Sequence, residues 1–369
     1  MTAVVKTKAA PGRDATEVKT VPVPKPGQAE VLIRVLATAV CGSDKHIYQW
    51  DPSMAGMVEV PRIYGHEFCG EIIAFGPGGK RPHLSEGQYV SAEMHVTCGY
   101  CRPCRTGQRH ICEHTKILGV HGDGCFAQYV VVPAFNVVPL ERDVVPPRVG
   151  AFLDALGNAV HTTQVADLSG KSVAVLGYGP IGGMCAEIAR VSGASHIAIT
   201  EVNSQAAAHA RRWAESRGAR HATVIDLSRT KDPAGSLREA LGGGADVVLE
   251  LSGAEASINL GLAAARRGAT ISLLGLPKGK AISIHDYTND FVFKGLTLHA
   301  IVGRRVFDTW IKMLDLLRAG LEVSDLVTDE FEGLERFHDA MELLENRNAM
   351  KVVFYPNGRP DGRGRSVRR

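Results

Sequence analysis

A chain of 369 residues is too long for one ordinary hydrophobic core and suits two domains. With 45% hydrophobic and 22% charged residues it is not globally disordered, and a formal charge of +3 is small for this size. No run approaches the ~18 uninterrupted apolar residues of a membrane helix, and MTAVVKTKAAPGRD lacks the long apolar stretch of a signal peptide, so a cytoplasmic protein without a membrane partner is expected.

The first 150 or so residues carry short β-type runs, EVLIRVLATAV, CGEIIAFG and FAQYVVVP, separated by Pro/Gly clusters such as VPVPKPGQAE and GPGGKRP. This is the texture of an irregular, mostly β domain. Two fragments within it could serve a catalytic metal, whose ligands are few, mixed in type and scattered because one coordination position must stay open. CGSDKH brings Cys41, Ser43 and His46 into one short loop, and GHEFCGE sets His66 beside Glu67. Taken singly, Cys69, Cys125 and Cys185 read as small buried hydrophobes.

Next comes CGYCRPCRTGQRHIC, with Cys98, Cys101, Cys104 and Cys112 spaced C-x2-C-x2-C-x7-C. In a reducing compartment such clustering points to metal rather than disulfides, and the spacing is that of a closed tetrahedral zinc site with no place for substrate. An iron-sulfur cluster or a zinc ribbon on nucleic acid would use similar spacing. The tract lacks the clustered aromatic and basic reading surface of such a ribbon, and no nucleic-acid partner is expected.

From KSVAVLGYG onward apolar runs alternate with helical stretches, as in parallel βαβ sheets, and SVAVLG, HIAIT, HATVI, ADVVLEL, ATISLLG and LTLHAI read as six strands of a doubly wound α/β sheet. Gly177, Gly179 and Gly182 follow the first strand in G-x-G-x-x-G register and open the helical stretch that begins Pro180, Ile181. The first glycine permits the tight turn, the second the approach of a pyrophosphate, and the third close packing of strand and helix. Glu201, about 20 residues on, ends the next strand, where a carboxylate can accept from both ribose hydroxyls and repels a 2′-phosphate. The expected cofactor is therefore NAD. VFDTWIKMLDLLRAG has helical periodicity, MKVVFYP reads as a last strand, and NGRPDGRGRSVRR reads as a disordered basic tail.

On CGSDKH, GHEFCGE, the four-cysteine tract and GYGPIG, the chain resembles the zinc-containing medium-chain alcohol dehydrogenases from about residue 20 to 355. The longer strings CGSDKHIYQWD, EMHVTCGYC, GCFAQYVVVPAFN, DALGNAVHT and GRRVFDTW are most similar to the threonine dehydrogenases within that family.

The resemblance implies a GroES-like catalytic domain over 1–154 and 303–356 with a structural-zinc lobe over 95–115, and an NAD-binding Rossmann domain over 155–302. It implies two zinc ions per chain and a homotetramer acting on a small molecule. Cys41 and His66 would ligate the catalytic zinc, with Glu67 and Asp154 at or near it; Ser43 and His46 would relay a proton, and His95 would line the substrate pocket. The implied reaction is oxidation of threonine to 2-amino-3-oxobutanoate, with a polyol or another hydroxy acid as the alternative substrate. Ser43 stands where many relatives have threonine, Ala206 where they often have arginine, and Val302 where they commonly have tyrosine.

Overall fold

The β-branched, turn-punctuated N-terminal part folds into β1 (Thr2–Lys6), β2 (Thr16–Thr20), β3 (Glu30–Ala39), β4 (Arg62–Ile63), β5 (Glu67–Phe75), β6 (Tyr89–Ala92), β7 (His95–Val96), β8 (Lys116–Ile117), β9 (Tyr129–Pro133) and β10 (Val137–Pro139). The computed structural model describes residues 1–360, and its chain divides into two compact units. The first comprises Met1–Ala155, Arg305–Trp310 and the chain from Ser324 on; the second comprises Leu156–Arg304 and Ile311–Val323.

In the second unit the six expected strands are β11 (Ser172–Leu176), β12 (His196–Glu201), β13 (Ala222–Asp226), β14 (Ala245–Glu250), β15 (Ala265–Leu273) and β16 (Thr297–Ala300). They form one sheet in the order β13-β12-β11-β14-β15-β16, every pairing parallel. The order reverses beside β11, the topological switch point at which such sheets bind ligands beyond their strand carboxyl ends. Strands such as SVAVL are buried at every position because helices cover the sheet.

The first unit gains β17 (Val327–Glu332) and β18 (Lys351–Tyr355) from the C-terminal part of the chain. Its main sheet runs β10-β6-β5-β3-β18-β17, with β9 also on β3. Chain from both ends of the sequence thus meets at β3, where Val353 pairs with Ala39. Phe126, Phe337 and Phe354 are fully buried together, ring centroids 5.2 to 5.8 Å apart. Burying one such side chain contributes about 2–3 kcal/mol.

Ordered chain continues past Pro356. Asn357 donates to the carbonyls of Val35 and Gln128 at 2.9 Å each, and Arg359 pairs with Glu332 at 3.3 Å. Of the expected tail, residues 361–369 lie outside the described residues.

Candidate metal centres and nucleotide site

CGSDKH is a helix rather than the expected loop. Gly42–Gln49 is α-helical with Cys41 as its N-cap, and the Asp44 carboxylate reaches back to accept the Cys41 N–H at 2.8 Å. That reciprocal box satisfies a donor the helix start would otherwise leave open. The consequence is chemical as well as local, since the cap holds Cys41 at the rim and buries Asp44 completely.

Around that rim the tertiary structure gathers Cys41, His66, Glu67 and Asp154, one donor atom from each lying within 4.8 Å of all the others. His66 precedes β5, Glu67 opens it, and Asp154 sits in the first turn of the helix Leu153–Thr163. Asp44 Oδ1 lies 3.7 Å from His66 Nδ1. Behind Glu67, the buried Lys351 ammonium bonds its Oε2 and also donates to the Val40 carbonyl at 2.9 Å. The Ser43 hydroxyl lies 3.4 Å from His66 Nε2. His46, three residues on and so on the same helix face, is exposed and bonded through Nδ1 to Asp51.

This donor set suits zinc. Three carboxylates and a thiol face one lysine and one imidazole in a largely buried site, and Asp44 Oδ1, His66 Nδ1 and Glu67 Oε1 are buried without a hydrogen-bond partner. So much uncompensated acceptor capacity is costly unless a cation shares it. The titration behaviour agrees. Burial pushes Asp44 up, and for Glu67 it does the same against the pull of Lys351; at His66 burial works downward, but Asp44, Cys41 and Asp154 together outweigh it and raise the imidazole to about 10.

The four cysteines of the 98–112 tract form a second centre. Sulfur pairs lie 3.6 Å (Cys98–Cys112), 3.8 Å (Cys101–Cys112) and 4.0 Å (Cys98–Cys104) apart. A tetrahedron with Zn–S bonds of about 2.3 Å has edges of about 3.8 Å, so these sulfurs stand at the corners of a one-ion site. They are too far apart for disulfides and too close to sit on separate irons. The Cys98 and His114 N–H groups each donate to Cys112 Sγ at 3.4 Å. Burial works against the Cys112 thiolate, but those donors and the neighbouring thiols bring it down to about 6.

In the second unit Gly177 follows β11 at φ 99°, and a Cβ on Gly182 would lie 2.1 Å from the Gly177 carbonyl oxygen, so only glycine fits there. A Cβ on Gly179 would meet nothing within 4 Å, which leaves the room a pyrophosphate needs. Gly179 caps the helix Pro180–Val191, with Pro180 and Ile181 in its first turn. Glu201 lies beside this turn: Oε2 accepts the Tyr178 N–H, and Oε1 accepts those of Val202 and Asn203, all at 2.8 Å. A cavity of about 570 Å³ adjoins them, lined by Gly177, Glu201, Leu227, Ser252, Asn259 and His285 among others.

His95 lies in β7, its ring bonded to Glu93. Asp44, Lys351 and Glu93 were not among the residues singled out by the sequence. Only the Asp44 box carried a sequence signal, a carboxylate three residues after a helix cap.

The family model of the alcohol dehydrogenase GroES-like domain matches residues 27–142, and that of the zinc-binding dehydrogenases matches 180–319. The L-threonine 3-dehydrogenase of Pyrococcus abyssi is 40% identical over 355 residues, covering 96% of this chain and 98% of the relative. The enzyme of the same name from Symbiobacterium thermophilum is 41% identical over 360 residues, covering 97% and 98%. Among solved structures, alcohol dehydrogenase TADH from Thermus sp. ATN1 superposes with a TM-score of 0.83 at 28% identity, covering 96% of this chain and 99% of that one. The 2R,3R-butanediol dehydrogenase of Bacillus subtilis superposes with the same score and coverage at 25% identity.

Proposed function

The chain belongs to the zinc-binding alcohol dehydrogenase family, and from that premise we propose that it oxidises L-threonine at C3 to 2-amino-3-oxobutanoate, with NAD as hydride acceptor. The observation that carries the chemistry is the cluster of half-buried Cys41 with buried His66, Glu67 and Asp154, a serine hydroxyl at its edge. The substrate rests on threonine dehydrogenases about 40% identical over nearly the whole chain.

In this reading those four residues hold one zinc and Cys98, Cys101, Cys104 and Cys112 hold another. A zinc ion held in the first site would supply Lewis acidity toward an alcohol oxygen, and a nicotinamide cofactor held by the second unit would supply the hydride acceptor. The chain's own residues bind, orient and move the proton. Ser43 Oγ, next to the His66 ring, would take the proton of the substrate hydroxyl as its own hydroxyl proton passes on through a cofactor ribose hydroxyl to His46. His46, one turn along the helix and open to solvent, delivers it to water, its ring steadied by Asp51. Asp44 holds the His66 ring from behind, and Lys351 holds Glu67. In the second unit, Gly177, Gly179, Pro180, Ile181 and Gly182 cradle the pyrophosphate and Glu201 binds the adenosine ribose, which favours NAD over NADP.

The chain is further read as a cytoplasmic homotetramer. All eight cysteines are free, as suits a reducing compartment, and no helix among the described residues is long and apolar enough to cross a membrane. For self-assembly, β16 pairs among the described residues only with β15, and Leu298 on it and nearby Phe293 are 37% and 61% exposed.

The test is reduced-nicotinamide formation by zinc-loaded protein with L-threonine, polyols and hydroxy acids, each with NAD and with NADP. Threonine with NAD turning over best supports the proposal. A polyol turned over in preference to threonine replaces the substrate and keeps the chemistry.

A further inference from the structure

We infer that Glu93 is a positioning residue that fixes which nitrogen of His95 carries the proton, and thereby makes the substrate pocket select for an amino group beside the reacting carbinol. The inference rests on the reading of His95 as a substrate-lining residue.

The Glu93 side chain is fully buried, between the end of β6 and the start of β7. Its Oε1 lies 2.7 Å from His95 Nδ1 and 2.9 Å from the His95 backbone nitrogen, and its Oε2 lies 2.7 Å from the indole nitrogen of the buried Trp310. A backbone N–H and an indole N–H can only donate. Both carboxylate oxygens are therefore already acceptors, and an ionised carboxylate serves all three neighbours only if Nδ1 also donates. The backbone is clamped as well. Asn136 donates to the carbonyls of Glu93 and His95 at 2.7 and 2.9 Å, and the Glu93 N–H returns to the Asn136 carbonyl at 2.9 Å.

With the proton on Nδ1, a neutral His95 offers a bare lone pair at Nε2. Among the described residues no hydrogen bond engages that nitrogen. A fixed acceptor favours a ligand with a strong donor, and the ammonium of a 2-amino-3-hydroxy acid is one. 3-Hydroxybutanoate has the same chain, hydroxyl and carboxylate without the amine, so it leaves the acceptor unmet. A site built for a hydrogen bond discriminates against an analogue that lacks it.

Trp310 lies in GRRVFDTW and Glu93 just before the cysteine tract, so their meeting is a product of the fold. Glutamine at position 93 has one carbonyl oxygen for two sides. Its amide NH2 must face either the indole N–H or the His95 donors, so the arrangement cannot be kept. Replacing Trp310 by Phe removes the competing donor and frees the carbonyl to turn toward His95.

The experiment measures kcat and KM for L-threonine and 3-hydroxybutanoate with zinc-loaded wild type, Glu93→Gln, and Glu93→Gln combined with Trp310→Phe. The preference for threonine should fall about 10-fold in Glu93→Gln, through KM rather than kcat, and largely return in the double variant. An unchanged preference, or a loss that the second substitution does not repair, overturns the inference. Neutron diffraction of deuterated wild-type crystals, grown above the ordinary histidine pKa range, gives a readout independent of turnover. Deuterium on Nδ1 with Nε2 bare is expected, and deuterium on Nε2 overturns the assignment. If wild type oxidises neither compound, the functional reading falls, and the neutron map still decides the tautomer.

Discussion

Cys41 and Lys6 are both cation-related residues at the mouth and flank of one helix, yet their expected contributions differ in kind. Cys41 is only half-buried, and a serine hydroxyl fits its place without disturbing the cap made by Asp44. Cys41→Ser should lower turnover by at least about 100-fold while the melting temperature moves by no more than about 2 °C. Calorimetry beside kinetics checks this, and a large fall in melting temperature would make Cys41 structural.

Lys6 is fully buried, its ammonium donating to the Tyr48 carbonyl at 3.0 Å and lying over the Tyr48 and Trp50 rings. Burial lowers its pKa to about 8. Between that value and the ordinary lysine range the unfolded chain binds the proton and the folded chain does not, so this group makes stability rise with pH across that window and contributes no slope below it. Denaturant titrations at several pH values should show wild type gaining on Lys6→Met there, by no more than about 1.4 kcal/mol per pH unit. Parallel curves would refute the assignment.

At the scale of elements, the four-cysteine lobe and the glycine turn each depend on one geometric condition. In the lobe the sulfurs occupy the corners of a tetrahedron, and they tie together turns that are otherwise joined by short backbone hydrogen bonds and the two-residue pairing of β7 with β8. Elemental analysis should find two zinc ions per wild-type chain and one in Cys101→Ser, whose lobe loosens and whose melting temperature falls. Loss of both ions would show that the two sites are not independent. In the turn, a methyl group on Gly182 collides with the Gly177 carbonyl. Gly182→Ala should therefore displace the helix start proposed to cradle the cofactor phosphate and weaken the proposed NAD binding at least about 10-fold by calorimetric titration, because a close backbone approach is lost. Unchanged affinity would place the pyrophosphate elsewhere.

For the whole molecule, the open edge of β16 is the feature most exposed to test. Leu298→Lys puts a charge where a second strand would pair, so the proposed homotetramer should give way to smaller species in light scattering; an unchanged tetramer mass would move the interface to another face.

Read by itself, the sequence determined six parallel strands, the glycine turn with its acidic strand end, and the four-cysteine centre. Each of these is local, set by a period of two, by a glycine's freedom, or by ligands a few residues apart, so neighbouring residues suffice to reveal it. CGSDKH is the local feature that was misread: its box is written in Cys41 and Asp44, but the short polar run lacks the apolar period that marks longer helices. Only the tertiary structure decided that Asp154 joins Cys41 and His66, that Lys351 neutralises Glu67 across the junction of β3 and β18, and that Trp310 steadies Glu93. Those contacts span tens to hundreds of residues, and a buried charge's partner is chosen by which strands pair rather than by spacing along the chain.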